Sequence, residues 1–160
     1  MAGVEFECWT DSESQASYIS IVESVDDYTP GHFYRRELPC VLQLLSEHHL
    51  APATVLIDGY VYLDGSSSPG LGRYLYDALG HKVMIIGVAK RPFIGIGAEY
   101  RVYRGNSSRP LYVTCAGLEL SVAKQRIRSM HGNYRIPTLL KQVDQISRNS
   151  TGLQETCGHG

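Results

Sequence analysis

Two periodicities alternate along this chain, one of period two and one of helical spacing, and their order predicts its elements. Residues 3–9, GVEFECW, alternate weakly as a strand, with Glu5 and Glu7 on one face. DSES at 11–14 is a turn, and 16–25 carries Tyr18, Ile19, Ile21, Val22 and Val25 as a second strand. The pair predicts an antiparallel hairpin. DDYTPGH, 26–32, is a loop set by Pro30-Gly31, a turn dipeptide. From there the spacing changes. Leu38, Val41, Leu42 and Leu45 recur at helical intervals, predicting a helix over 37–48 with Glu37 at its start and Pro39 in its first turn.

Val55, Leu56 and Ile57 form a short aliphatic run that reads as a buried strand, stopped by Asp58-Gly59. GSSSPG, 65–70, is a loop; Leu71, Leu75, Ala78 and Leu79 then mark a second helix ending at Gly80. KVMIIGVAK, 82–90, is another buried strand that ends in charge, and the Gly-rich stretch 91–106 carries Tyr100, Val102 and Tyr103 in alternation as an edge strand. Residues 110–115 make a further strand, and Leu120, Ala123, Ile127 and Met130 define a third helix closed by His131-Gly132-Asn133. The last helix carries Leu139, Leu140, Val143 and Ile146, with Asp144 on its flank. Residues 150–160 lose periodicity and read as a flexible tail. This order predicts an α/β protein, a mixed sheet flanked by helices, with one domain over 1–149.

Composition narrows the class. At 160 residues, 43% hydrophobic and 19% charged, the chain suits one globular domain with a proper core. A formal net charge of −1 argues against a broad basic surface for coating DNA, while leaving room for a local patch. Cys8, Cys40, Cys115 and Cys157 form no CxxC pair, which speaks against structural zinc and fits a reduced compartment. No signal-peptide pattern precedes Val4 and no apolar run approaches membrane-spanning length. A cytoplasmic monomer with no membrane association is expected, with the nucleus or nucleolus as alternatives in a eukaryote.

Candidate chemistry begins at Asp58. An ionised carboxylate at the end of a buried strand loses hydration unless a cation compensates. Gly59 after it permits a sharp turn or close approach of a ligand, at the strand end where α/β sheets bind ligands. Glu5, Glu37 and Asp144 also stand at element ends or flanks of apolar elements. If the first strand lies beside the Val55 strand, Glu5 and Asp58 meet at the centre of the sheet. Grouped carboxylates repel one another and divalent cations relieve that cost. Mg²⁺, with Mn²⁺ as a substitute, takes hard oxygen ligands and leaves room for phosphate oxygens, the setting for metal-assisted phosphodiester hydrolysis.

Here the sequence resembles a known family. YTPGHFYRRELP, 28–39, resembles the YxPGxxxxRExP segment of endonuclease V, the deoxyinosine 3′ endonuclease. LIDGY at 56–60 is similar to the family's (L/V)xDGxG strand end, and IGVAK at 86–90 to its TIGVAK. PLYVTCAG at 110–117 parallels PL(Y/F)(V/I)xxGH, and GNYRIPTLLKQVDQIS at 132–147 resembles GYRLPxPxRxAD. The segments occur in family order with near-family spacing. The resemblance implies an RNase H-like fold and a Mg²⁺-dependent endonuclease acting on inosine-containing or distorted DNA or RNA. It implies that Glu5, Glu37, Asp58 and Asp144 hold metal and that Lys90 lies near the scissile phosphate. It also implies that Tyr28, Thr29, Pro30 and Gly31 form a strand-separating wedge, with Gly59 and Arg91 in the nucleic-acid-facing set.

The departures shape the expectation. The family opens its first strand with GVD, and this chain has Gly3-Val4-Glu5, an acid one methylene longer. Where the family continues HPR and FGxASHxG around the base, this chain has Asp64-Gly65-Ser66 and Pro69-Gly70-Leu71-Gly72-Arg73-Tyr74, and Leu118 replaces the later histidine. A catalytically impaired, nucleic-acid-binding relative is therefore the alternative. Structural readings stand beside the chemical ones. Glu37 reads also as a helix cap, Asp144 as solvent-facing, Lys90 as a solvated strand end and Tyr28 as loop packing. Gly65-xxxx-Gly70 lacks the Lys-Ser/Thr of a P-loop and reads as a plain loop. Gly95-Ile96-Gly97 reads as a bulge, His48-His49 as a helix end, and Cys157-Gly158-His159 as tail.

Overall fold

The computed structural model describes residues 1–21 and 33–157, without the side chains of 33–35 and 150–157. The chain opens with a hairpin of β1 (Ala2–Glu5) and β2 (Ala16–Ile19), paired antiparallel with Gly3 opposite Tyr18 and Glu5 opposite Ala16. Asp11 holds its turn by accepting from the backbone N–H of Glu7 and Cys8, so the DSES turn is an aspartate-anchored loop. Then come α1 (Phe33–Glu47), β3 (Thr54–Asp58), α2 (Leu71–Ala78) and β4 (Met84–Ala89). A 3-10 turn, Ala98–Tyr100, precedes β5 (Arg101–Val102), followed by β6 (Leu111–Ala116), α3 (Leu120–Ser129) and α4 (Thr138–Cys157).

Four strands make one mixed sheet in the order β3-β4-β6-β5, parallel between β3 and β4 and antiparallel elsewhere. β4 and β6 are buried on both faces, which is why they read as near-continuous apolar runs. The strand period of two sends Ile86, Val88, Leu111 and Val113 to one face, against Ala123 and Ile127 of α3 and Leu139 of α4. Ile85, Ala116 and Ile57 face the other way, against Val41 of α1 and Leu75 of α2. Each fully buried aliphatic side chain contributes about 1.5–3 kcal/mol.

Three differences from the sequence expectation have physical causes. First, among the described residues β1 pairs with β2 alone and makes no hydrogen-bonded ladder with β3, so Glu5 and Asp58 do not meet as neighbouring strand residues. The hairpin is held instead by α1. His48 Nε2 meets the Ile19 carbonyl at 2.9 Å, Gln43 donates to the Ile21 carbonyl at 3.1 Å, and Ser20 Oγ donates to Glu47. Second, α1 begins at Phe33, so Glu37 and Pro39 lie inside the helix and not at its start. Tyr34, four residues before Leu38, extends the apolar spacing back into the first turn. Third, α4 continues to Cys157, past residue 150, because an established helix adds a hydrogen bond with each further residue.

Candidate active site

Asp58 ends β3 as the exposed residue after buried Ile57. What fixes it is the segment that follows. The Gly59 N–H donates to the Val88 carbonyl at 3.0 Å, and the buried Val61 N–H donates to Thr114 Oγ1 at 2.8 Å. Gly59 has φ +146°, the left-handed half of backbone space, so the sharp turn expected there is present. The turn lies so close on β4 that a Cβ at Gly87 would stand 2.5 Å from the Gly59 carbonyl oxygen. Glycine at 87 is thus what admits the turn that presents Asp58. Among the described residues Asp58 accepts no hydrogen bond.

Glu37 approaches from α1. Its carboxyl is raised above the ordinary range, first by lost hydration, then by the negative charge of Asp58, with Arg36 opposing. Glu37 keeps solvent-exposed surface, so water screens part of that repulsion. The two carboxylates line one cleft of about 990 Å³, which Glu5, Asp144 and Lys90 line as well. All five predicted chemical residues therefore share one concavity, between β1 and β3 and walled by α1 and α4.

They are not equivalent within it. Glu5 Oε2 accepts from Tyr18 OH at 2.7 Å, and that bond raises the Tyr18 phenol above its ordinary value. Asp144 pairs with Arg148 at 3.0 Å, one helical turn on. Among the described residues no three His, Cys, Asp or Glu side chains stand close enough to hold one metal ion. The donor chemistry nevertheless fits Mg²⁺ at the Glu37 and Asp58 pair. Two mutually repelling hard-oxygen ligands suffice when substrate phosphate and water supply the rest. Tyr28, Thr29, Pro30 and Gly31 lie outside the described residues.

Lys90 follows β4, exposed, with Arg91 beside it. The register places Ala89 opposite Tyr112, which brings the end of β4 against the start of β6. Two arginines that the sequence reading gave no role, Arg109 and Arg135, join Lys90 and Arg91 around a pocket of about 200 Å³. The signal for Arg109 was the pair of Arg-Pro dipeptides, 91–92 and 109–110, at what become adjacent strand ends. Tyr60 OH donates to the Arg91 carbonyl at 2.6 Å and accepts from the Phe93 N–H at 3.1 Å, tying this edge to the Asp58 turn.

The 65–70 segment is a loop, as expected, and Asp64 builds it. Its carboxylate accepts from the N–H groups of Ser66, Ser67 and Ser68 at 3.1, 2.8 and 2.9 Å and from Ser67 Oγ. These bonds hold Asp64 far below the ordinary carboxylate range. Where a P-loop offers such N–H groups to a phosphate, this chain fills them with its own aspartate.

No protein-family model and no curated protein sequence matches the chain. Solved structures do match. The catalytic domain of human endonuclease V is 22% identical with a TM-score of 0.70, over 91% of this chain and 72% of that one. Endonuclease V from Streptomyces avermitilis is 25% identical with a TM-score of 0.64, over 82% of this chain and 64% of that one. Ciona intestinalis endonuclease V, solved with DNA containing an inosine followed by a ribo-adenosine, is 18% identical with a TM-score of 0.70, over 88% and 73%. The chain has the endonuclease V fold, an RNase H-like α/β architecture.

Proposed function

We propose that this chain, built on the endonuclease V fold, is a metal-dependent endonuclease that cleaves a phosphodiester bond beside inosine or another distortion in DNA or RNA. The observation that carries the proposal is the cleft that Glu37 and Asp58 line together with Lys90, where the Glu37 carboxyl feels the charge of Asp58. Two repelling acids beside a lysine suit a bound metal and a phosphate better than they suit packing.

Glu37 and Asp58 would hold Mg²⁺, or Mn²⁺ in its place; when bound, the metal supplies charge neutralisation and activation of water. The chain's own residues then do the following. The Gly59 turn, pinned to Val88 and Thr114, keeps Asp58 at a fixed place on the rim, so the ligand needs no reorganisation. Lys90 presents a compact positive charge toward a phosphate in the cleft and stabilises negative charge developing on its oxygens. Glu5 and Asp144 would complete the ligand set by leaving Tyr18 and Arg148. Tyr28, with Thr29, Pro30 and Gly31, would stack on and separate bases beside the lesion.

The commitment of Glu5 to Tyr18 and of Asp144 to Arg148 favours a second reading, a nucleic-acid-binding relative with impaired turnover. One experiment separates the two. Inosine-containing DNA and RNA strands are incubated with the protein, with and without Mg²⁺, beside an Asp58→Asn control. Cleavage that needs both Mg²⁺ and Asp58 is expected. Binding without any cleavage would select the second reading, and neither binding nor cleavage would end both.

A further inference from the structure

The pocket around Lys90 is distinct from the acidic cleft, although Lys90 lines both. Lys90, Arg91, Arg109 and Arg135 surround about 200 Å³, and no Asp or Glu is among the lining residues. None of the ion pairs among the described residues involves these four. Like charges brought this close without a counter-ion repel one another unless an anion joins them. In a chain of formal net charge −1, that concentration is local and not a by-product of a basic composition.

The pocket is also built. Arg135 donates from Nε and Nη2 to the Pro110 carbonyl at 3.3 and 2.8 Å and from Nη2 to the Lys90 carbonyl, bolting the end of β4 to the start of β6. Lost hydration and then the Arg109 charge push the Arg135 guanidinium below its ordinary value. Two exposed aromatic residues adjoin the lining residues along the chain. Phe93, next to Pro92 of the lining, is 43% exposed, and Tyr134, next to Arg135, is 72% exposed. The Phe93 ring meets Tyr60 edge-on at 6.4 Å and Lys141 stands 5.4 Å over the Tyr134 ring, yet both keep exposed surface on which a base can stack when its phosphate is held.

We infer that the pocket formed by Lys90, Arg91, Arg109 and Arg135 is a phosphate site separate from the metal site, with Phe93 and Tyr134 placed for the attached base. The inference rests on the nucleic-acid reading above and extends it. One nucleotide of the strand is held by charge at the end of the sheet while the neighbouring bond lies in the cleft, with Lys90 common to both. The chemistry recognised is a phosphate group, either an internal phosphodiester or a terminal phosphate.

The test is binding and needs no turnover. A fluorescent single-stranded inosine-containing oligonucleotide is titrated in metal-free buffer over a series of salt concentrations. The proteins compared are the parent, the double variant Arg91→Gln/Arg109→Gln and the control Arg128→Gln. Both pocket arginines are exposed, so the double variant keeps the parent melting temperature. Expected for the double variant is a loss of affinity of about tenfold at low salt. Its slope of log K against log salt becomes shallower by about 0.7, the value for one phosphate contact on a single strand. The control stays near the parent. A double variant equal to the parent overturns the phosphate site and leaves the nuclease reading standing.

Inorganic phosphate, titrated against the backbone amide signals of 89–92 and 109–112, is the second arm. If the parent binds phosphate there but binds no strand, the site stands and the nucleic-acid reading falls. If it binds neither, both fall. At constant ionic strength inorganic phosphate should compete with the strand; tighter binding of a 5′-phosphorylated strand identifies a terminal phosphate, and equal binding identifies an internal phosphodiester.

Discussion

Asp58 and Asp64 are six residues apart on the same stretch of chain, and they spend their charge in opposite ways. Asp64 accepts from three consecutive N–H groups and a serine hydroxyl, so its charge is consumed in shaping a loop. The Asp58 carboxylate accepts nothing among the described residues and shares its cleft with Glu37, a second negative charge. One carboxylate is satisfied from within, and the other is left for something from outside. Charge alone does not mark a site; charge without an internal partner, held in place by its backbone, does. Arg104 enforces the same lesson on the cationic side. It is 6% exposed and donates to the carbonyls of Met130, Gly132, Tyr134 and Arg135, so it holds structure, whereas Arg91 and Arg109 are exposed without acidic partners among the described residues.

The contrast breaks most visibly at Asp58. Asp58→Asn should reduce Mg²⁺-dependent cleavage of an inosine-containing strand to background while raising the melting temperature of the metal-free protein, since a repelling charge is gone. A fall in melting temperature would give Asp58 a structural duty and erase its difference from Asp64. Next in size, Tyr28→Ala should weaken binding to an inosine-containing duplex by about 1–3 kcal/mol, one base–aromatic stack, at an unchanged melting temperature. Equal affinities would reduce Tyr28 to loop packing.

Asp64→Asn should do the reverse of Asp58→Asn, lowering the melting temperature by a few degrees and sparing cleavage. The pH dependence carries the same distinction. A carboxyl held below its ordinary 3.8 contributes stability that is whole above that value and disappears as pH falls through its folded value. The parent should therefore lose melting temperature below pH 3.8 more steeply than Asp64→Asn, and identical acid limbs would contradict the loop geometry. The smallest effect belongs to Tyr18→Phe, which frees Glu5 from its hydrogen bond. Mg²⁺ should bind about two- to fivefold tighter, the worth of one net hydrogen bond, read by calorimetry. No change would leave Glu5 a hairpin residue.

Much of the fold was legible because its signals are local. β4 and β6 read as strands through unbroken apolar runs, and α2 and α3 through their spacing and glycine stops. Asp58-Gly59 read as a strand-end turn because both residues are poor choices for a core. Pairing was not legible in the same way. The β1–β2 hairpin read from its adjacent strands and turn, but whether β1 also lies beside β3 depends on contacts between residues about fifty positions apart, and no local pattern encodes them. The basic pocket was missed for the same reason, since Arg91, Arg109 and Arg135 meet only once β4 and β6 are antiparallel. Arg104 did continue the alternation of Tyr100 and Val102 inward, yet a guanidinium is ordinarily assigned to solvent. Only the ring of carbonyls around it explains its place.

The separate hairpin has a kinetic consequence. β1 and β2 share a ladder of four residue pairs with each other and none with β3, so their amide protons are guarded by a two-stranded ribbon resting on α1 and α4. Such a ribbon can lift away without opening the four-stranded sheet. Deuterium should therefore enter Ala2–Glu5 and Ala16–Ile19 well before it enters Met84–Ala89 and Leu111–Ala116. Because Glu5 rides on the ribbon and Asp58 on the sheet, the separation between these two acids follows the faster clock.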